Sequence, residues 1–135
     1  MEVGDYKIDE SQILGKGGGG TVYLATHTPT GKQFAAKKIP RTKDDHASIM
    51  KEIEIWKTIP QHKNILELRH YEVKDKFLWI IMEKCDVNLK GYLTKTSVCD
   101  KVKMNIIKQI LSGTKHLHTM DKPIAHRDIN LDNIM

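Results

Sequence analysis

Four consecutive glycines, Gly17 to Gly20, separate two segments of strand-forming residues, and nothing else in the chain restricts its fold as much. Ahead of them, Tyr6, Ile8 and Ile13-Leu14 predict an irregular strand. Behind them, Thr21-Val22-Tyr23-Leu24-Ala25-Thr26 is β-branched and aromatic and predicts a second strand. Gly15, Gly17 and Gly20 fit the spacing G-x-G-x-x-G, which a run of glycines satisfies easily. The segment behind the glycines narrows the choice. A dinucleotide-binding fold or a Walker loop needs a helix there, with its N-terminus on the phosphates. Here that segment is a strand, so the tract is the tip of a hairpin. Glycine lets backbone N–H groups approach phosphate oxygens with no Cβ in the way. On this tract alone, a phosphate-covering hairpin and an unliganded, flexible one stand even.

Pro29-Thr30-Gly31 marks a turn, and Lys32 to Ile39 predicts a third strand. Within it Ala35 and Lys37 share one face and Lys38 takes the other. A small residue two places before a lysine leaves room for a flat base beside a cation. Two solvated lysines on an edge strand are the plainer alternative, and a bulge would exchange the two. Asp44 to Ile59 has helical periodicity through Ile49, Ile53 and Trp56, and Pro60 ends it. Glu52 falls among those apolar residues, whereas Glu54 points away. An acid on an apolar face is costly unless paired, so Glu52 calls for a cation, and Lys37 is the natural candidate.

Ile65 to Val73 and Phe77 to Met82 predict two further strands around Lys74-Asp75-Lys76. The second is apolar without alternation, as in a strand buried on both faces. After Glu83 the pattern changes. Asn88 to Leu93 predicts a short helix and Lys101 to His118 a long one. Val102, Ile106, Ile107, Ile110, Leu111 and Leu117 occupy about half of its circumference. The expected fold class is α+β. A five-stranded antiparallel sheet with one helix takes residues 1–84, and an incomplete helical part takes residues 85–135.

The last motif is His126-Arg127-Asp128-Ile129-Asn130-Leu131-Asp132-Asn133. Asp128 could accept or orient a hydroxyl proton. Asn133 could supply an amide oxygen to Mg²⁺, which prefers oxygen ligands. A polar turn is the alternative. Net charge is +5, but the lysines are scattered among acids, with no run of about five. No nucleic-acid or membrane-binding patch is therefore expected. Cys85 and Cys99 lack CxxC spacing, which argues against a disulfide framework or a zinc site. Met1 to Glu10 is unlike a signal peptide, and no stretch nears the roughly 18 apolar residues of a membrane span. A cytoplasmic location is expected, with a nuclear one left open.

Taken together these residues resemble the signature set of eukaryotic-type protein kinases. Leu14-Gly15-Lys16-Gly17-Gly18-Gly19-Gly20-Thr21-Val22 looks like the glycine-rich loop, and Ala35-Ala36-Lys37 like the strand with the phosphate-anchoring lysine. Glu52 fits the glutamate of the next helix, and His62-Lys63-Asn64-Ile65-Leu66 the lead into the fourth strand. Met82-Glu83-Lys84-Cys85 looks like the gatekeeper and hinge, and His126 to Asn133 like the catalytic loop H-R-D-x-x-x-x-N. The resemblance covers essentially the whole chain.

It implies ATP and Mg²⁺ as cofactors and a protein as substrate. Leu14, Val22 and Ala35 would sandwich the base, and the backbone of Glu83 and Cys85 would bond the adenine edge. Gly15, Gly17 and Gly20 would cover the phosphates, and Lys37 would contact them while pairing with Glu52. Asp128 would position the acceptor hydroxyl, and Asn133 would hold one Mg²⁺. Asp86 falls where a ribose contact is expected, and Arg127 implies control through a phosphorylated activation loop.

The sequence departs from that pattern in three places. It stops at Met135 without an Asp-Phe-Gly segment, so a fragment is expected that is inactive by itself. Asn130 stands where serine/threonine kinases usually carry a lysine, and it brings a hydrogen-bond donor but no charge. The Arg-Ala and Ala-Ala-Arg patterns of tyrosine kinases are absent at that place, which favours serine/threonine acceptors. Gly18 and Gly19 make the loop unusually glycine-rich, at roughly 0.5–1 kcal/mol of ordering each. The long helix adds about five uncovered apolar side chains, forfeiting on the order of 1.5–3 kcal/mol apiece. That rivals the whole stability of a typical domain, which again points to a fragment, with the same face open to a docking partner.

The functional expectation is a protein kinase domain fragment that binds ATP and, in a complete form, transfers the γ-phosphate to a protein hydroxyl. The alternatives are a non-catalytic, pseudokinase-like nucleotide-binding module and an interaction module that uses the helical face.

Overall fold

A computed structural model describes residues 1–17, 19–42 and 45–135. Gly18, expected in the hairpin tip, and Asp44, expected to open the first helix, lie outside the described residues. The chain divides into two compact units, residues 1–60 with 67–84, and residues 61–66 with 85–135.

The first unit holds strands β1 (Glu2–Val3), β2 (Tyr6–Gly17), β3 (Gly20–His27) and β4 (Gln33–Pro40), helix α1 (His46–Thr58), and strands β5 (Leu68–Lys74) and β6 (Phe77–Glu83). All pairings are antiparallel, in the order β1-β2-β3-β4-β6-β5. The expected five strands are thus six. Val3 pairs with Tyr6 and Glu2 with Lys7, so two residues suffice to add a strand. The polar N-terminal segment hid this because its single anchor, Val3, is fully buried. The irregularity expected ahead of the glycines is present as register shifts between Asp9 and Ile13 and between Ile13 and Gly15.

The two sheet edges approach each other. Gly4 N donates to Glu72 Oε2 at 3.0 Å, and Lys74 Nζ donates to the Glu2 carbonyl at 2.6 Å. The Tyr6 and His70 rings stack 6.3 Å apart. This curling buries Val3, Tyr6, Ile8, Ala25, Ala36, Trp79 and Ile81 in one core. The opposite sheet face packs Ile39, Leu78 and Ile80 against Ile53 of α1. β6 therefore feeds Trp79 and Ile81 to one core and Leu78 and Ile80 to the other. That is why its sequence lacks alternation.

α1 ends where Pro60 forces the preceding residue to be extended, with Ile59 at φ −77° and ψ 118°. In the second unit, α2 (Leu89–Lys95) is capped by Asn88, whose Oδ1 accepts from Gly91 N at 2.9 Å. α3 (Asp100–His118) places Asp100 in its first turn and Lys115 in its last, both favoured by the helix dipole. Residues 61–66 lie along α3, with the His62 and His116 rings 4.7 Å apart and Asn64 Nδ2 bonded to Gln109 Oε1 at 3.3 Å. Leu117 is buried, Ile106 and Ile110 are half-buried, and Val102, Ile107 and Leu111 are exposed. No helix of the described residues is long and apolar enough to cross a membrane.

Candidate functional site

The site residues of the first unit share one face of the sheet. Val22 sits opposite Lys37, Leu24 opposite Ala35, and Met82 and Ile80 opposite Ala35 and Lys37 in turn. Directly paired residues project to the same side, so Val22, Ala35, Lys37 and Met82 line a common surface. It is the α1 face, since Ile39 and Ile80 of the same alternation pack against Ile53. Gly15 pairs with Val22 and Gly17 with Gly20, which closes the glycine hairpin. A Cβ at Gly15 or Gly17 would meet nothing within 4 Å, so the backbone there is open for approach.

The two lysines are sorted by strand alternation. Lys38 turns to the other face, where it pairs with Glu10 at 2.8 Å. Its ammonium also lies 4.5 Å from the Phe77 ring and 5.0 Å from the Trp79 ring. Lys37 turns toward the hairpin, where a Cβ on Gly19 would come within 3.0 Å of its Nζ. Lys37 is half-buried and has no ion-pair partner among the described residues.

The expected pair with Glu52 is therefore corrected. No ion pair joins Lys37 to Glu52 among the described residues, and Glu52 is exposed. The reason is the position of the buried stripe on α1. Met50 joins Ile49, Ile53 and Trp56 against the sheet. At about 100° per residue, this centres the stripe near Ile53 and leaves Glu52 on its flank. A solvated carboxylate there needs no partner. Leu14, expected to cover a base, is also exposed, at 44%. Glu83 directs its N–H to the Glu67 carbonyl at 3.3 Å, and Cys85 is half-buried.

In the second unit, His126 to Asn133 forms a turn knit by its own side chains. Asp128 N donates to His126 Nδ1 at 3.1 Å. Asn133 Nδ2 donates to the Asp128 carbonyl at 2.9 Å and to its Oδ2 at 2.9 Å. With the Nδ2 of Asn133 committed to a carboxylate, its Oδ1 is the atom left to meet a cation. Asn130 Nδ2 donates to Asp128 Oδ1 at 3.0 Å, and Asn130 Oδ1 accepts from Asp132 N at 3.0 Å and Asn133 N at 3.1 Å. Two backbone bonds fasten the loop to the start of α2: Lys90 N to the Leu131 carbonyl at 3.0 Å, and Leu89 N to the Ile134 carbonyl at 2.6 Å. Arg127 takes φ 69°, a left-handed conformation uncommon outside glycine.

In the sequence Asn130 stands out only as a missing lysine. Its role in the turn is readable from residue type, because an asparagine side chain commonly accepts from the backbone two residues on. Its second bond, to Asp128, depends on how the loop closes.

The family described as the protein kinase domain matches residues 8–135. A probable serine/threonine-protein kinase of Encephalitozoon cuniculi is 33% identical over 130 residues, covering 96% of this chain and 24% of that protein. A membrane-associated tyrosine- and threonine-specific cdc2-inhibitory kinase of Caenorhabditis elegans is 35% identical over 131 residues, covering 96% and 27%. The serine/threonine-protein kinase PLK2 of Mus musculus is 30% identical over 128 residues, covering 90% and 18%. The chain spans about a quarter or less of the length of these relatives.

Proposed function

This chain belongs to the protein kinase domain family, and from that premise we propose that it binds ATP with Mg²⁺ and, in a complete form, serves phosphoryl transfer to a protein serine or threonine. The observation that carries the reading is the state of Lys37: an ammonium beside a glycine hairpin with no acid on it among the described residues, while its neighbour Lys38 is already paired. Charge without a partner at a half-buried position is a ready place for an anion. The open backbone at Gly15 and Gly17 suits the same anion, since amide groups there can reach phosphate oxygens.

In this reading Val22 and Ala35 hold the adenine, Leu14 closes over it, and Glu83 and Cys85 give backbone groups to its edge. Lys37 binds the phosphates. Asp128 accepts the hydrogen bond of the acceptor hydroxyl and orients its oxygen. The Oδ1 of Asn133 fits a hard cation, which prefers oxygen donors. Among the described residues no cluster of three His, Cys, Asp or Glu could hold a metal alone. Mg²⁺ bound with the nucleotide would supply charge neutralisation at the phosphates. Serine or threonine is preferred on two grounds: the residues after Asp128 lack the tyrosine-kinase patterns, and two of the three relatives above carry serine/threonine in their names.

A thermal-shift titration with Mg-ATP tests nucleotide binding. Saturation at 100 times Kd stabilises by about 2.7 kcal/mol, and Lys37→Met shrinks the response. No shift at any concentration would leave only a nucleotide-independent interaction module. Radiolabelled transfer to a generic acceptor protein by this chain and by any longer form, abolished by Asp128→Asn, separates an enzyme from a non-catalytic nucleotide binder.

A further inference from the structure

The Asp128 carboxylate is exposed, yet both its oxygens are held by neutral amides. Asn130 Nδ2 takes Oδ1 at 3.0 Å and Asn133 Nδ2 takes Oδ2 at 2.9 Å. The orientation of the Asn130 amide is set by its other end. Asn130 Oδ1 accepts two backbone N–H groups, from Asp132 and Asn133, so Nδ2 must face the carboxylate. One side chain thus joins the turn to the carboxyl group.

Resting on the kinase reading above, we propose that Asn130 is a positioning residue that aims the Asp128 carboxylate at the acceptor hydroxyl. A free surface carboxylate turns among its rotamers, and a base must lie within hydrogen-bond reach of the proton it receives. Donors on both oxygens remove that freedom. Each carboxylate oxygen still has a lone pair for the hydroxyl. The amide is uncharged, so it fixes the carboxylate without neutralising it. A misplacement of about 1 Å costs on the order of a hundredfold in rate, which sets the scale of the effect.

Asn130→Asp separates positioning from turn formation. It is nearly isosteric and keeps acceptors for the N–H groups of Asp132 and Asn133, but it replaces the donor to Asp128 with an anion. Steady-state transfer from Mg-ATP to dephosphorylated casein, by this chain and by any longer form of the protein, reads the outcome. The expected result for Asn130→Asp is a fall in kcat of at least about tenfold, with KM for ATP unchanged within about twofold. Asn130→Lys, which returns a donor, rescues most of the loss. An Asn130→Asp variant with native kcat overturns the inference alone, since Asn130 then only shapes the turn. Should Asn130→Asp fail to fold by circular dichroism, a folded but inactive Asn130→Lys also overturns it, and an active one supports it. If neither this chain nor any longer form transfers phosphate, the catalytic reading is overturned and this inference falls with it.

Discussion

Gly20 takes φ 130°, and a Cβ there would run into the carbonyl of Lys38 on the neighbouring strand. Backbone in that region is essentially reserved for glycine, and forcing another residue into it costs on the order of 1–3 kcal/mol. Gly20→Ala should therefore lower the urea midpoint by the equivalent of about 2 kcal/mol, whereas Gly17→Ala should change it far less, because nothing stands near its Cβ. Asp9 is a residue whose titration the fold alters. The Ser11 hydroxyl and the Gln12 amide donate to its carboxylate, with a further bond from Ser11 N, and hold its pKa below the ordinary 3.8. The ionised form is favoured by folding. Its stabilisation is complete above 3.8 and is lost as pH falls through the lower folded value. A carboxyl ¹³C titration should show the Asp9 midpoint below that value, and Ser11→Ala should raise it.

Elements carry the next level of consequence. α1 is held by a narrow stripe, with Ile53 only 1% exposed between the sheet and the helix. Ile53→Ala should cost about 2–5 kcal/mol, as large-to-small core changes do. Glu52→Gln should cost less than about 0.5 kcal/mol, as a change at an exposed position does. Chemical denaturation of both variants checks the contrast, and a loss at Glu52 rivalling that at Ile53 would restore the buried ion pair. The periodicity of α1 was readable from sequence, but the angle of its buried stripe was not. Three apolar residues defined a face that Met50 then rotated, and only contact with the sheet shows how far Met50 takes part. β6 was readable to within a residue, because six apolar residues in a row leave no solvent face.

The whole molecule is a folded β unit and a smaller helical unit whose surfaces differ in kind. The first turns both faces of its sheet into cores. The second leaves Ile107 at 48% and Leu111 at 62% exposure on α3. Apolar side chains this open contribute little to folding and more to association. The paired change Ile107→Lys and Leu111→Glu should leave the unfolding midpoint within about 0.5 kcal/mol and reduce self-association in sedimentation velocity. Leu117→Lys, at a buried position of the same helix, should unfold the unit. Measuring the two side by side tests which stripe of α3 is structural.

By itself the sequence determined the order of the strands and helices, the glycine hairpin, the sorting of Lys37 from Lys38 and the extent of the final loop. Each of these depends on residues within a few positions of one another, where backbone period and side-chain type decide the outcome. The tertiary structure alone decided that Glu52 stays in solvent, that Lys38 is taken by Glu10, that Val3 adds a sixth strand, and that Asn130 reaches Asp128. Those depend on bulge register, helix rotation and loop closure, which set the distance between groups that local pattern leaves free.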